Sequence, residues 1–262
     1  MSFEEAHAKT RRRGGFDEQS YENPAVSAPL REFFYFGTIA PFAQRNYYKE
    51  AVDKLKVLAK EFRREYGGTK ADYQIRCNSQ IPEKPIAVAC GLGSMGRNDL
   101  VIMPKDTNNS GGSNFIIAMM HLPFALPGDP PLDWDPCKRC QAPCQEACPT
   151  KALDASRGKI NLEKCIQWWA SGHNIDKPVP EELKAVWGKR FYGCTNCQDA
   201  CVHNKAGQAA YIDCKKILAM TDDEINALFK GTAIGMKWLG PAAIRRNAEI
   251  VCKNQKALDS GP

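Results

Sequence analysis

Four cysteines at Cys137, Cys140, Cys144 and Cys148, the last followed by Pro149, constrain this chain more than any other feature. A second set, Cys165, Cys194, Cys197 and Cys201, follows closely. C-x2-C spacing lets one turn of backbone offer two sulfurs to the same metal centre. A C-x2-C…C-x3-C-P run is the signature of chains that hold two [4Fe–4S] clusters, in which the fourth cysteine crosses over to the other cluster. By that rule Cys137, Cys140, Cys144 and Cys201 hold one cluster, and Cys148, Cys165, Cys194 and Cys197 the other. The run departs from the usual spacing at two points. Gln141, Ala142 and Pro143 fill a gap that is normally two residues long, and Val202 stands where a second proline is common. Neither change removes a ligand.

Two other chemistries use the same residues. Eight thiolates could build two structural zinc sites, although zinc sites rarely end in C-x3-C-P. Disulfides need an oxidising compartment, and no apolar leader stretch opens the chain. Cys77, Cys90, Cys214 and Cys252 have no partner spacing and read as ordinary buried thiols. At 262 residues and a net charge of +6, the chain has room for one large or two small cores. Arg11, Arg12 and Arg13 form the one tight basic run, inside a polar stretch over residues 1–30 that reads as a flexible segment. No apolar run approaches the length of a transmembrane helix, and the cytoplasm is the expected compartment.

Tyr48, Ala51, Val52, Leu55, Leu58, Ala59 and Phe62 recur at helical spacing and predict an amphipathic helix over Tyr47–Tyr66, stopped by Gly67 and Gly68. Pro85–Cys90 fits a helix or a buried strand. Leu100–Met103 and Phe115–Met120 read as short strands flanking a turn-rich loop, Lys105–Ser113, that contains Asn108 and Asn109. The proline-bearing stretch Leu122–Asp135 reads as an extended bridge and marks a boundary. The units are therefore 31–130, a cluster unit over 131–215, and a helical tail over 216–262. In the tail, Thr221 and Glu224 form a capping box, and Pro241 opens a last helix through Leu258. The fold class is α+β.

Gly91-x-Gly93-x-x-Gly96 matches a dinucleotide fingerprint as a string. That motif must open a helix, whereas Arg97-Asn98-Asp99 leads at once into the strand-like Leu100-Val101-Ile102. These glycines instead allow a close approach of backbone, to a neighbouring segment or to a bulky cofactor.

Taken in order, the Gly91–Arg97 segment, Leu122-Pro123, Asp129-Pro130-Pro131 and the first cysteine run resemble a corrinoid-dependent reductase superfamily. Glu163-Lys-Cys165-Ile-Gln-Trp-Trp and Tyr192-Gly-Cys194-Thr-Asn-Cys197-Gln-Asp-Ala-Cys201 carry the same resemblance, which covers about residues 45–255. Its branches are epoxyqueuosine reductase and the reductive dehalogenases. The resemblance implies a truncated, nitroreductase-like cobalamin-binding domain, then a ferredoxin-like two-cluster domain and a short helical tail. It implies base-off cobalamin as a cofactor beside the two clusters, with Gly91, Leu92, Gly93, Met95 and Gly96 against it. A ferredoxin or flavodoxin would feed the clusters. Arg97 and the Trp168-Trp169 pair lean toward the dehalogenase branch, with Tyr35 (or Tyr73) as proton donor, Arg97 as its basic partner and a small-molecule substrate. Ala233-Ile-Gly and Ile244-Arg-Arg-Asn247 look like the tail of the epoxyqueuosine reductase branch. That branch carries a proton-donating aspartate where this chain has Asn78, which makes tRNA the less expected substrate. The expectation is therefore a dehalogenase-like oxidoreductase. A two-cluster electron carrier, a corrinoid-reducing activator and a tRNA epoxide reductase remain as alternatives.

Overall fold

The computed structural model describes residues 35–106, 110–154 and 159–259. The stretch over 1–30 with its arginine run, and Asn108 and Asn109, lie outside them. In chain order the elements are β1 (Phe36–Ile39), α1 (Tyr47–Tyr66), β2 (Ile75–Arg76), α2 (Glu83–Ala89), β3 (Ser94–Met95), β4 (Val101–Ile102) and β5 (Met119–Met120). The cluster half adds α3 (Pro143–Glu146), α4 (Ile166–Ala170), α5 (Glu181–Trp187), β6 (Arg190–Tyr192), α6 (Asn196–Asp199) and β7 (Ala210–Asp213). It is followed by α7 (Cys214–Ala219), α8 (Asp222–Leu228) and α9 (Gly240–Asp259).

Helix α1 has the bounds its periodicity predicts. Asn46 caps it by accepting the Lys49 N–H at 2.9 Å, and Gly67, at φ 76°, ends it with its N–H on the Arg63 carbonyl. A positive φ suits glycine because it has no Cβ to clash. The apolar face buries Ala59 and Phe62 against Tyr73, with Met120, Leu122 and Phe124 packed around them. Pro85–Cys90 resolves as helix, since its proline sits in the first turn of α2, where no intrahelical N–H is lost. Of Phe115–Met120 only Met119–Met120 pairs, because its partner β2 is itself two residues long. Leu122–Asp135 contains no helix or strand. The Thr221–Glu224 capping box opens α8.

A three-stranded sheet in the order β6-β1-β7 carries the main core. Strand β1 runs parallel to β6 and antiparallel to β7. A strand from the stretch before the boundary at 130 is thus the centre of a sheet whose other strands lie beyond the first cysteine run, β6 just before Cys194 and β7 after Cys201. Gly37 permits the approach, since a Cβ there would lie 2.6 Å from the Phe191 Cβ. Ile39, Trp187, Phe191, Ile217, Ile225 and Val251 fill the core beneath α9. Among the described residues no helix is long and apolar enough to cross a membrane.

Candidate metal centre

The first cysteine run folds as a tight turn followed by one turn of helix. The Cys137 N–H is held by the Asp135 carboxylate at 2.8 Å, and the Cys140 N–H returns to the Cys137 carbonyl. The extra residue in the widened gap is absorbed at Ala142, which is buried in the left-handed region at φ 58°. Pro143 then starts α3 and carries Cys144 inward. Helix α6 lies against this run, with the Asn196 amide donating to the Ala147 carbonyl at 3.2 Å, and it brings Cys197 and Cys201 alongside.

The eight thiols separate into two groups that cross between the runs. Cys137, Cys140, Cys144 and Cys201 line one cavity together with Arg97, Asn98 and His203. Burial raises the Cys144 thiol, and next in effect come Cys201, Cys137 and Cys140 as like charges. In the second group burial raises Cys165, with Cys194 and Cys148 adding to it. Cys197 is pushed up to about 12, chiefly by burial and then by Cys194, Cys165, Cys148 and Cys144. The appearance of Cys144 among these shows that the two groups adjoin. Cys148 differs. Burial opposes its ionisation, but hydrogen bonds from the Thr150 hydroxyl and from the N–H groups of Ala152, Thr150 and Leu153 bring its thiol below the usual value.

Thiols crowded and buried in this way stay protonated unless a metal supplies positive charge, and a coordinating metal deprotonates them outright. A zinc ion needs four ligand atoms within about 2.3 Å of one point. Among the described residues no three His, Cys, Asp or Glu side chains converge as a single-ion site. A four-iron cluster binds each thiolate at a different iron, so its ligands stand farther apart. All twelve cysteines are free thiols. The donor set fits two iron–sulfur clusters.

Around the first cavity the polar side chains are specific. Arg97 donates to the Cys140 carbonyl at 3.0 Å. Asn98 is 3% exposed, and its Nδ2 has no hydrogen-bond partner among the described residues. His203 Nε2 meets the Pro136 carbonyl at 3.1 Å. Beside the second group the Gln167 amide oxygen accepts the Cys194 N–H at 3.1 Å. Sequence reasoning assigned no role to Asn98, Gln167, Asn196 or His203. Three of the four stand within two positions of a proposed ligand, and that is the one signal that could have flagged them.

Other candidates have different surroundings. The Lys215 ammonium lies over the Tyr35 ring at 3.9 Å, and the Tyr35 carbonyl accepts the Cys214 N–H, whereas Arg97 faces the cluster cavity. Tyr73 is buried with its hydroxyl on the Gly67 carbonyl. The glycine segment forms the β3–β4 pair with no helix after it. Added Cβ atoms at Gly91, Gly93 and Gly96 would meet Pro130 O at 2.6 Å, Ile102 O at 2.4 Å and Asn98 Oδ1 at 2.6 Å. These glycines therefore make room for protein. That leaves the exposed Leu92 and half-buried Met95 side chains for any cofactor contact. Asn78 is exposed at φ 52°, its N–H on the Glu83 carboxylate at 3.0 Å.

A family model described as a 4Fe-4S double cluster binding domain matches residues 136–204. An epoxyqueuosine reductase of Cyclobacterium marinum is 30% identical over 228 residues, 83% of this chain and 69% of that protein. The Pseudomonas aeruginosa enzyme of the same name is 32% identical over 163 residues. The chain spans 42% of that relative's length and 52% of the Vibrio cholerae one. The solved epoxyqueuosine reductase of Streptococcus thermophilus superposes with a TM-score of 0.71 at 22% identity, covering 89% of this chain and 62% of its own. Another, solved with an epoxyqueuosine-modified tRNA-Tyr stem loop, gives 0.66 over 90% of this chain.

These relatives overturn the dehalogenase-like reading of the function, on which the roles given to Tyr35 and Arg97 depended. The residues that suggested that branch have structural work instead. Trp169 is buried with its indole N–H on the Glu163 carbonyl at 2.7 Å, Trp168 stacks on His173, and Arg97 pins the Cys140 turn.

Proposed function

The chain belongs to the epoxyqueuosine reductase family, and from that premise we propose that it is an iron–sulfur oxidoreductase that removes an epoxide oxygen from a modified tRNA nucleoside. The observation that carries this is the alignment to the Cyclobacterium marinum enzyme over most of both chains. Loss of an epoxide oxygen as water takes two electrons and two protons. Two adjoining clusters, held by the crossed cysteine sets, pass those electrons singly from a low-potential ferredoxin or flavodoxin. Cobalamin, placed by the resemblance in a nitroreductase-like unit before the clusters, supplies a strongly reducing cobalt when bound. Leu92 and Met95 would meet it.

The protons are the open requirement. A solved Bacillus subtilis relative has its catalytic aspartate loop swung out of the active site, and the resemblance seen in the sequence puts Asn78 in that aspartate's place. An amide is no proton donor, so water must serve, at a cost in rate.

The test is anaerobic incubation of the cobalamin-loaded, reduced protein with an epoxyqueuosine-bearing tRNA-Tyr stem loop, followed by mass analysis of the nucleosides. Loss of one oxygen is expected, and Asn78→Asp should raise the rate on the order of a hundredfold, the lower end of general-acid effects. Clusters that oxidise and reduce while the nucleoside keeps its oxygen would overturn the reading and leave electron transfer alone.

A further inference from the structure

Asn98 lies in the turn Gly96–Asp99 between β3 and β4, far in sequence from either cysteine run. The turn is closed by the Gly96 N–H on the Leu100 carbonyl at 2.8 Å. It is anchored to α2 by the Lys84 ammonium, 2.8 Å from the Asp99 carboxylate. Inside it the Asn98 Oδ1 accepts the Leu100 N–H at 3.3 Å, which fixes which way the amide faces. The room for that oxygen comes from Gly96, whose Cβ would lie 2.6 Å from it. What remains is Nδ2, buried, without a partner among the described residues, in a side chain that lines the cavity of Cys137, Cys140, Cys144 and Cys201. A buried amide donor left unpaired bears its full desolvation penalty. Neutral donors in such cavities are therefore normally satisfied by what fills them.

We propose that the Asn98 amide donates an N–H···S hydrogen bond to the cluster held by Cys137, Cys140, Cys144 and Cys201, and thereby raises that cluster's reduction potential. One-electron reduction adds a negative charge to the cluster without breaking a bond or taking up a proton. The electron comes from a reduced low-potential iron–sulfur or flavin protein, which is oxidised by one electron. A donor facing the sulfurs stabilises the more negative, reduced state, and hydrogen bonds to sulfur are among the levers that set cluster potentials. Arg97 supports the geometry by tying the same turn to the Cys140 carbonyl. The proposal rests on the double-cluster part of the reading above and is independent of the tRNA substrate.

The experiment is an anaerobic redox titration of the reconstituted protein followed by electron paramagnetic resonance, with iron counted on the same samples. Asn98→Leu removes the donor. Asn98→Asp keeps an oxygen for the Leu100 N–H while replacing the donor by an acceptor. The expected result is a tenfold loss in the reduction equilibrium of one cluster in Asn98→Leu, 59 mV for a one-electron couple. The loss should be larger in Asn98→Asp, with the other cluster and the iron content unchanged. Two unmoved potentials in both variants, at full iron content, would overturn the proposal and leave the clusters standing. A wild-type protein that binds only one cluster's iron would instead overturn the double-cluster reading and the proposal with it.

Discussion

The crossed pairing proposed for the cysteines has a consequence that single substitutions cannot show and paired ones can. Cys144 and Cys148 are neighbours on one run, yet they face different partners. Cys144 lies among Cys137, Cys140 and Cys201, while Cys165, Cys194 and Cys197 feel the charge of Cys148. Removing one thiolate of four leaves a cluster with an unligated iron. Each substitution is therefore taken to cost one cluster, about four irons of about eight. Cys144→Ala with Cys201→Ala places both losses in one cavity and should leave about four irons per chain. Cys144→Ala with Cys148→Ala divides the losses between cavities and should leave almost none. A linear pairing, with each run holding its own cluster, predicts the reverse for the two double variants. Iron and sulfide analysis after anaerobic reconstitution reads the difference, with circular dichroism to confirm that both variants fold. Near-zero iron in the Cys144→Ala, Cys201→Ala protein beside half-retention in the other would refute the crossed assignment.

Two further outcomes follow from packing and from titration. Gly93→Ala drives a Cβ to 2.4 Å from the Ile102 carbonyl and 2.9 Å from Val101 Cγ1, forcing β4 aside at a cost of about 1–3 kcal/mol. Gly128→Ala, with nothing within 4 Å, should be neutral or slightly stabilising. Urea unfolding of the pair tests this, and equal midpoints would sink the steric argument. The Tyr48 phenol is pushed up from 10.0 to about 12, chiefly by burial and then by the charges of Tyr192, Cys77 and Glu83. A folded-state pKa above the unfolded one gives stability that is present below pH 10.0 and lost as pH climbs toward about 12. Tyr48→Phe should lose less stability over that window than the wild type, and parallel declines would show that the phenol does not titrate as described.

What the sequence made legible was local. Helix α1 announced itself because its apolar face repeats every three or four residues and Gly67 closes it, and α8 because Thr221 and Glu224 satisfy each other's ends. The double-cluster region was legible because metal chemistry tolerates few residue types. The placement of β1 was not, since its partners β6 and β7 lie far along the chain and no short-range pattern encodes that pairing. Branch membership was misread for a related reason. Trp168 and Trp169 looked like markers of chemistry, while one stacks on a histidine and the other packs in the core. The glycines of 91–96 bring both lessons together. As a string they imitate a nucleotide-binding loop, but Gly93 admits the backbone of β4 and Gly96 admits the Asn98 amide. That amide and the neighbouring Arg97 are where the turn after these glycines reaches the cluster cavity. A motif's spacing reports where a backbone must come close. What it comes close to is decided by residues elsewhere in the fold.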